Sequence, residues 1–252
     1  MKIAIVTGAS SGMGREFARQ IEFLYNDLDE IWVIARRKER LEELKKQLSI
    51  NVRVFTGNLQ YNEVYKEIES TLEEFNPNIK ILVNGAGFGK VGNVEEITCK
   101  DQTDMIYLNC IALVRMTKLC IPYMSKGSHI VNLASASAFC PQPGFSVYAA
   151  TKSLVLSFSR ALREELLGQA ITVTAVCPGP VETEFFNVSG KKENNGMKDS
   201  VTAKPEKVVK KALRDAEKGR TMSVYGLSMK LCRIATKLIP HGIILKIMKL
   251  FW

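Results

Sequence analysis

"IAIVTGASSGMGREFARQI", residues 3–21, reads as three pieces in a row. Ile3–Thr7 is an apolar, β-branched run with little alternation, which suits a strand covered on both faces. Glycines at 8, 12 and 14 then make a tight turn, and the residues from Arg15 onward continue with helical periodicity. Glycine lets a backbone turn sharply and approach a pyrophosphate, and the first N–H groups of a helix are unpaired and attract an anion. A glycine-rich turn means little alone. Placed between a first strand and a first helix, it marks the phosphate end of an α/β sheet.

The same alternation continues outward from this stretch. "IWVIA" (31–35), "VRVFT" (52–56), "IKILV" (79–83), "SHIVNL" (128–133) and "ITVTAV" (171–176) read as buried strands, and "MSVYG" (222–226) as a weaker seventh. Helical periodicity fills the gaps, as in residues 37–48 and 62–75. The pattern predicts an α/β fold: a doubly wound, mostly parallel seven-stranded sheet with helices on both faces and right-handed crossovers. No internal repeat or linker divides it, so residues 1–228 are expected to form a single domain. Residues 229–252 stand apart as a basic amphipathic tail, and "SGKKENNGMKD" (189–199) reads as a mobile loop or surface insertion.

Charge and cysteine usage narrow the function classes. The net charge is +9, but no acid follows Glu217, whereas Lys218, Arg220, Lys230, Arg233, Lys237, Lys246 and Lys249 do. The body is therefore nearly neutral and only the tail is basic, which argues against a nucleic-acid-binding face. Six cysteines without a C-x-x-C pair and only two histidines offer neither a disulfide framework nor a metal-ligand cluster. The N-terminus enters a strand directly, with an apolar run too short for a signal peptide. A reduced, cytoplasmic setting is expected, with attachment to a membrane surface as the alternative that the tail raises.

Two local patterns carry chemistry. "VIARRKER" ends the second strand with Ala35 where an acid would bind a ribose 2′-hydroxyl, followed by Arg36 and Arg37. Guanidiniums in place of a carboxylate favour a 2′-phosphate, hence NADP(H) over NAD(H), and Ser10 and Arg15 would line the same corner. "YAATK" sets Tyr148 and Lys152 four apart on a helix, on one face. A cation beside a phenol lowers the phenol's pKa and fits it for acid–base work near neutral pH.

"TGASSGMG" (7–14), "NGAG" (84–87), "YAATK" (148–152) and "PGPVET" (178–183), in this order, resemble the short-chain dehydrogenase/reductase family over nearly the whole chain. The resemblance implies a Rossmann-like fold and a hydride transfer between a nicotinamide and a carbonyl or secondary alcohol. It implies Tyr148 as general acid and Lys152 as the residue that tunes it and holds the nicotinamide ribose. Ser135, thirteen residues before Tyr148, is implied as the hydroxyl that meets the substrate oxygen. Ser137 is a near neighbour at a poorer spacing. Asn109 is implied as the support of a proton-relay water. Around the cofactor the resemblance places Gly8, Ser10, Ser11, Gly12, Met13, Gly14, Arg15, Arg36, Arg37, Asn58, Leu59, Asn84, Ala86, Gly87, Tyr148, Lys152, Pro178, Gly179, Val181 and Thr183. Two positions depart from the family pattern: Gly85 replaces a second asparagine, and Asn58 replaces an aspartate that faces the adenine amino group. The Asn58 side-chain oxygen can still accept a hydrogen bond, so weaker adenine contact is expected, not loss of binding.

On the substrate side, the segment from about 184 to 204 corresponds to the family's variable lid. Phe185 and Phe186 there, with Phe139, Phe145 and Val147 beside Ser135 and Tyr148, suggest an apolar, steroid-like or fatty substrate; no lysine or arginine is placed by sequence to clamp a carboxylate. In the tail, Lys230, Arg233 and Lys237 recur opposite Leu231, Ile234, Ala235 and Leu238 before Pro240 interrupts. Such a helix fits a membrane surface, a cover over the active site or a neighbouring subunit. The family implies a homo-oligomer, dimer or tetramer. The rival to an enzyme is a non-catalytic nucleotide-binding scaffold.

Overall fold

Seven strands form one sheet in the computed structural model of the chain, which describes residues 1–185, 189 and 202–249. They are β1 Lys2–Thr7, β2 Glu30–Ala35, β3 Asn51–Thr56, β4 Asn78–Asn84, β5 Met124–Leu133, β6 Thr172–Val176 and β7 Met222–Ser223. Their order is β3-β2-β1-β4-β5-β6-β7, and every pairing is parallel. The winding direction reverses between β1 and β4, where Thr7 sits opposite Asn84 at the strands' carboxyl ends. That reversal opens the crevice in which such sheets hold ligands. The glycine-rich turn and "NGAG" both leave the sheet there.

Alternate residues of each strand serve opposite cores. Ala4, Val6, Ile31, Val33, Ile81 and Val83 pack on one face against Phe17 and Ile21 of α1 (Gly12–Leu24), Leu41 and Leu44 of α2 (Lys38–Gln47) and Val209 and Leu213 of α7 (Pro205–Glu217). Ile3, Ile5, Trp32, Ile34 and Leu82 pack on the other against Ile68 and Leu72 of α3 (Glu63–Phe75), Met116 of α5 (Ala112–Cys120) and Leu162 of α6 (Ser146–Glu165). Burial on both sides is why these strands read as continuous apolar runs. The last strand is shorter than expected. β7 keeps only two residues, because Gly226 at φ +84° turns the chain out of the sheet into α8, Leu227–Leu238.

α4 (Cys99–Ile106) runs through a π-helical turn, Tyr107–Ile111, into α5. The whole apolar stretch Cys99–Tyr123 is long enough to cross a membrane, yet Met105, Cys110, Leu113, Met116 and Cys120 are buried within the domain. After α8, Pro240 breaks the helix as the sequence predicts, and α9 spans His241–Lys249. The lid readings on Phe186 and residues 190–201, and the terminal residues 250–252, lie outside the described residues.

Candidate active site

A cleft of about 790 Å³ opens along the carboxyl ends of the strands. Its floor at one end is the turn after β1, where Gly8 has φ +71°. A Cβ on Gly8 would stand 2.8 Å from the backbone nitrogen of Ala86, so only glycine allows the two turns to meet. Ser11 is the N-cap of α1 but its side chain does not cap the helix. The first turn of α1 therefore points its N–H groups into the cleft, where a pyrophosphate fits. Gly12, Met13, Gly14, Leu59, Ala86, Gly87, Pro178, Gly179, Val181 and Thr183 all line the same space.

The corner beyond β2 is built from arginine and serine. Arg37 donates from Nη2 to Ser11 Oγ at 2.6 Å and reaches Ser10 Oγ from Nε at 3.3 Å. Its Nη1 donates to Glu184 Oε2 at 2.9 Å. Arg36 also lines the cleft, on the side of Asp104, whose carboxyl is held below its usual range chiefly by Lys100 and in small part by Arg36. Arg15 does not join them. It turns to α2 and pairs with Glu43 at 2.8 Å. Asn58 lines the cleft with its side-chain oxygen already accepting from the backbone N–H of Gln60 at 3.1 Å.

At the other end stand Ser135, Tyr148 and Lys152. Ser135 follows β5, pinned by the Ala136 N–H donating to Pro178 O at 2.8 Å. Tyr148 and Lys152 project from one face of α6, both nearly buried, and all three line the cleft. The expected lowering of the phenol by the lysine is not what the geometry produces. Burial pushes Tyr148 up to about 12, with the Ser135 side chain offsetting part of the rise as its hydrogen-bond partner. Lys152 is no part of that balance: its ammonium lies 5.6 Å from the ring centroid and donates instead to Leu133 O at 2.7 Å. Burial in turn draws Lys152 down to about 8. The outcome is a neutral phenol that can donate a proton, beside a lysine that titrates near neutrality.

Other expected residues support the site from outside the cleft. Asn109 sits in the π-helical turn, a distortion found often at functional sites. Its Nδ2 donates to Phe88 O (2.9 Å) and Thr151 Oγ1 (3.0 Å), and its Oδ1 accepts from Phe88 N (3.0 Å). The side chain is thus engaged in anchoring the Gly87–Phe88 strand exit to α6. Asn84 also points inward, donating to Thr117 Oγ1 and Asn132 Oδ1 at 3.0 and 2.9 Å. Phe139 packs into an apolar cluster with Val155 and Met229 beneath the cleft, and Val147 does not line it.

The substrate end is walled by rings. Phe145 stacks on Tyr148 with centroids 4.2 Å apart, and Phe185 lies 5.4 Å from Tyr148. Gly89 faces all three: a Cβ there would stand 2.8 Å from both Phe145 Cζ and Tyr148 Cδ2 and 2.9 Å from Phe185 Cζ. Sequence reasoning missed several wall residues: Lys90, Cys140, Gln142, Met229 and Cys232. The last two come from α8, whose inner face closes over the cleft with Met229 seated on Gly179. Their helical spacing with Thr236, the one buried residue of α8, was a legible signal.

A family model described as short chain dehydrogenase matches residues 2–194. Sulfoacetaldehyde reductase 2 of Chromohalobacter salexigens is 37% identical over 193 residues, covering 73% of this chain and 74% of that protein. The NADP-dependent 3-hydroxy acid dehydrogenase YdfG of Escherichia coli (strain K12) is 35% identical over 214 residues, covering 82% and 85%. Among solved structures, a short-chain dehydrogenase from Sphingobium yanoikuyae in complex with NADPH superimposes with a TM-score of 0.80 at 26% identity, over 97% of this chain and 95% of that one.

Proposed function

This chain belongs to the short-chain dehydrogenase family, and on that premise we propose that it is an NADP(H)-dependent carbonyl reductase or alcohol dehydrogenase. The observation that carries the reading is the convergence of Ser135, Tyr148 and Lys152 on a cleft whose far end is a glycine-lined helix N-terminus. The nicotinamide, when bound, supplies or takes up the hydride. Tyr148 gives its proton to the carbonyl oxygen as negative charge grows there, and Ser135 donates a second hydrogen bond to the same atom. A phenol kept neutral by burial supports the reducing direction. Lys152 supplies positive charge next to the developing phenolate and a donor for the cofactor ribose. Arg37, Ser10 and Ser11 hold the 2′-phosphate, a role supported by their mutual hydrogen bonds and by the NADP named for relatives and structural neighbours.

The substrate reading is an apolar carbonyl, supported by Phe145, Phe185 and Met229 around Tyr148. A second reading has its own observation. Lys90 is a cation in the cleft wall one residue after Gly89, which suits a small anionic substrate, and one relative is named for sulfoacetaldehyde and another for 3-hydroxy acids. Initial rates with NADPH and NADH over ketosteroids, acyl ketones, small aldehydes and short anionic carbonyls separate these readings, with Tyr148→Phe as control. NADPH turnover lost in Tyr148→Phe is the expected result. Equal use of NADH sinks the assignment of Arg37. Cofactor binding with no turnover in either direction favours the scaffold reading.

Two surfaces extend the proposal. Ile106 on α4, Ile111 in the π-helical turn, Val114 on α5 and Leu154 on α6 are exposed apolar residues, which supports a homo-oligomer; mass in solution checks it. The outer face of α8 supports contact with a membrane surface.

A further inference from the structure

Glu184 follows Thr183 at the start of the lid, and its carboxylate is caught between the guanidinium of Arg37, the N-cap of α2, and that of Arg40 in its first turn. Arg37 donates to Oε2 at 2.9 Å, and Arg40 donates to Oε1 in a closer contact. Arg40, then Arg37, hold this carboxyl below the usual glutamate range. The three side chains remain two-fifths exposed, so the contact is a surface latch and not a buried strut. It sits at the corner where Arg37 also meets Ser10 and Ser11, which is the donor set a 2′-phosphate requires. The Glu184 carboxylate lines the cleft at this corner. The chain has filled its own anion site with its own anion.

We propose that Glu184 competes with the cofactor's 2′-phosphate for Arg37 and Arg40, so that Arg40 belongs to the set reading that phosphate and Glu184 sets how strongly the enzyme prefers it. The inference rests on the NADP(H) reading above. Two anions do not share one pair of guanidiniums without repulsion, so a 2′-phosphate that takes its donors displaces Glu184. A nucleotide lacking that phosphate leaves the latch closed. Displacement also acts on the next residue, Phe185, whose ring packs on Tyr148.

The test is calorimetric binding of 2′,5′-ADP and 5′-AMP to the full chain and to Glu184→Gln and Arg40→Gln, with no turnover required. Removing the internal anion from two partly exposed pairs is expected to tighten 2′,5′-ADP three- to tenfold, on the order of the strength of such pairs, and to leave 5′-AMP unchanged. Arg40→Gln is expected to weaken 2′,5′-ADP several-fold, again sparing 5′-AMP. Unchanged or weaker 2′,5′-ADP binding in Glu184→Gln overturns the competition while the NADP(H) reading stands. Parallel changes for both nucleotides overturn it too, because the latch would then act on the shared adenosine half. A normal affinity in Arg40→Gln removes Arg40 from the set. Wild-type protein that binds both nucleotides equally brings down the NADP(H) reading itself, and the inference with it.

Discussion

The Lys152 ammonium donates to the carbonyl oxygen of Leu133 at 2.7 Å, so the last residue of β5 holds from behind the cation that α6 presents beside Tyr148. Strand and helix together fix the lysine's position, and burial sets its charge. With a folded pKa of about 8, below the ordinary 10.5, the group is largely an ammonium at neutrality and loses its proton through about pH 8. Tyr148, at about 12, stays protonated across that range. The kcat/KM for carbonyl reduction is therefore expected to be level below about pH 7.5 and to fall tenfold per unit above about pH 8. Lys152→Arg, which cannot deprotonate, is expected to remove the break whatever its effect on rate.

The same shift carries a stability consequence with a definite sign. A lysine whose pKa is depressed on folding holds fewer protons folded than unfolded between about pH 8 and 10.5. Its burial costs stability below pH 8, and that cost fades as the pH rises towards 10.5. Lys152→Met is expected to abolish activity while leaving the urea midpoint at pH 7 unchanged or higher.

Gly89 is the point where the three rings of the substrate wall approach the backbone. A methyl group there would stand under 3 Å from Phe145, Tyr148 and Phe185. Gly89→Ala must displace Tyr148 or its neighbours, and overpacking of this kind costs about 1–3 kcal/mol. A small loss of stability is expected together with at least a tenfold fall in kcat, because the phenol is moved off its partner Ser135. Binding of 2′,5′-ADP at the far end should be unchanged.

A buried polar chain ties the sheet to α6, the helix that carries Tyr148 and Lys152. Asn84 donates to Asn132, Asn132 to Ser159 Oγ at 2.9 Å, and Ser159 to Val155 O at 2.7 Å. Asn132 is fully buried on β5, three residues before Ser135. Asn132→Ala leaves Asn84 short of a partner and Ser159 with one bond fewer, for an expected loss of about 2–3 kcal/mol in urea unfolding.

Much of this arrangement is legible in the amino-acid sequence alone. Ile3–Thr7 had to be a two-sided strand, because both its odd and its even residues are apolar, and Gly8 had to start a tight turn. Tyr148, Lys152 and Ser135 were legible through their spacing and family resemblance. What spacing could not show was direction. Asn84 and Arg15 stand at motif positions, yet one bonds inward to α5 and β5 and the other outward to Glu43. The sign of the Tyr148 shift is likewise beyond spacing: the lysine stands 5.6 Å from the ring centroid and donates to Leu133 O, and burial of the phenol sets the direction. The tail helix fits a cover over the active site by its pattern, and Met229 and Cys232 are the residues that carry it into the cleft; the pattern alone does not say which of its faces turns inward.

The outer face of α8 is an exposed apolar stripe. Leu227, Leu231, Ile234 and Leu238 recur on the outer side of α8, with Leu227 73% and Leu238 77% exposed. Lys230, Arg233 and Lys237 run along one flank, and no acid lies anywhere beyond Glu217. The inner side carries Met229 and Cys232 into the cleft. An apolar stripe edged only by cations suits an anionic lipid surface, at about 1 kcal/mol for each nearby basic residue. The full chain is expected to co-sediment with vesicles containing phosphatidylglycerol, less with pure phosphatidylcholine, and less again in high salt. Leu231→Glu with Ile234→Glu should release it while turnover of a water-soluble carbonyl persists. If the pair of substitutions instead lowers the mass in solution and vesicles bind neither protein, the stripe is covered by a second copy of the chain.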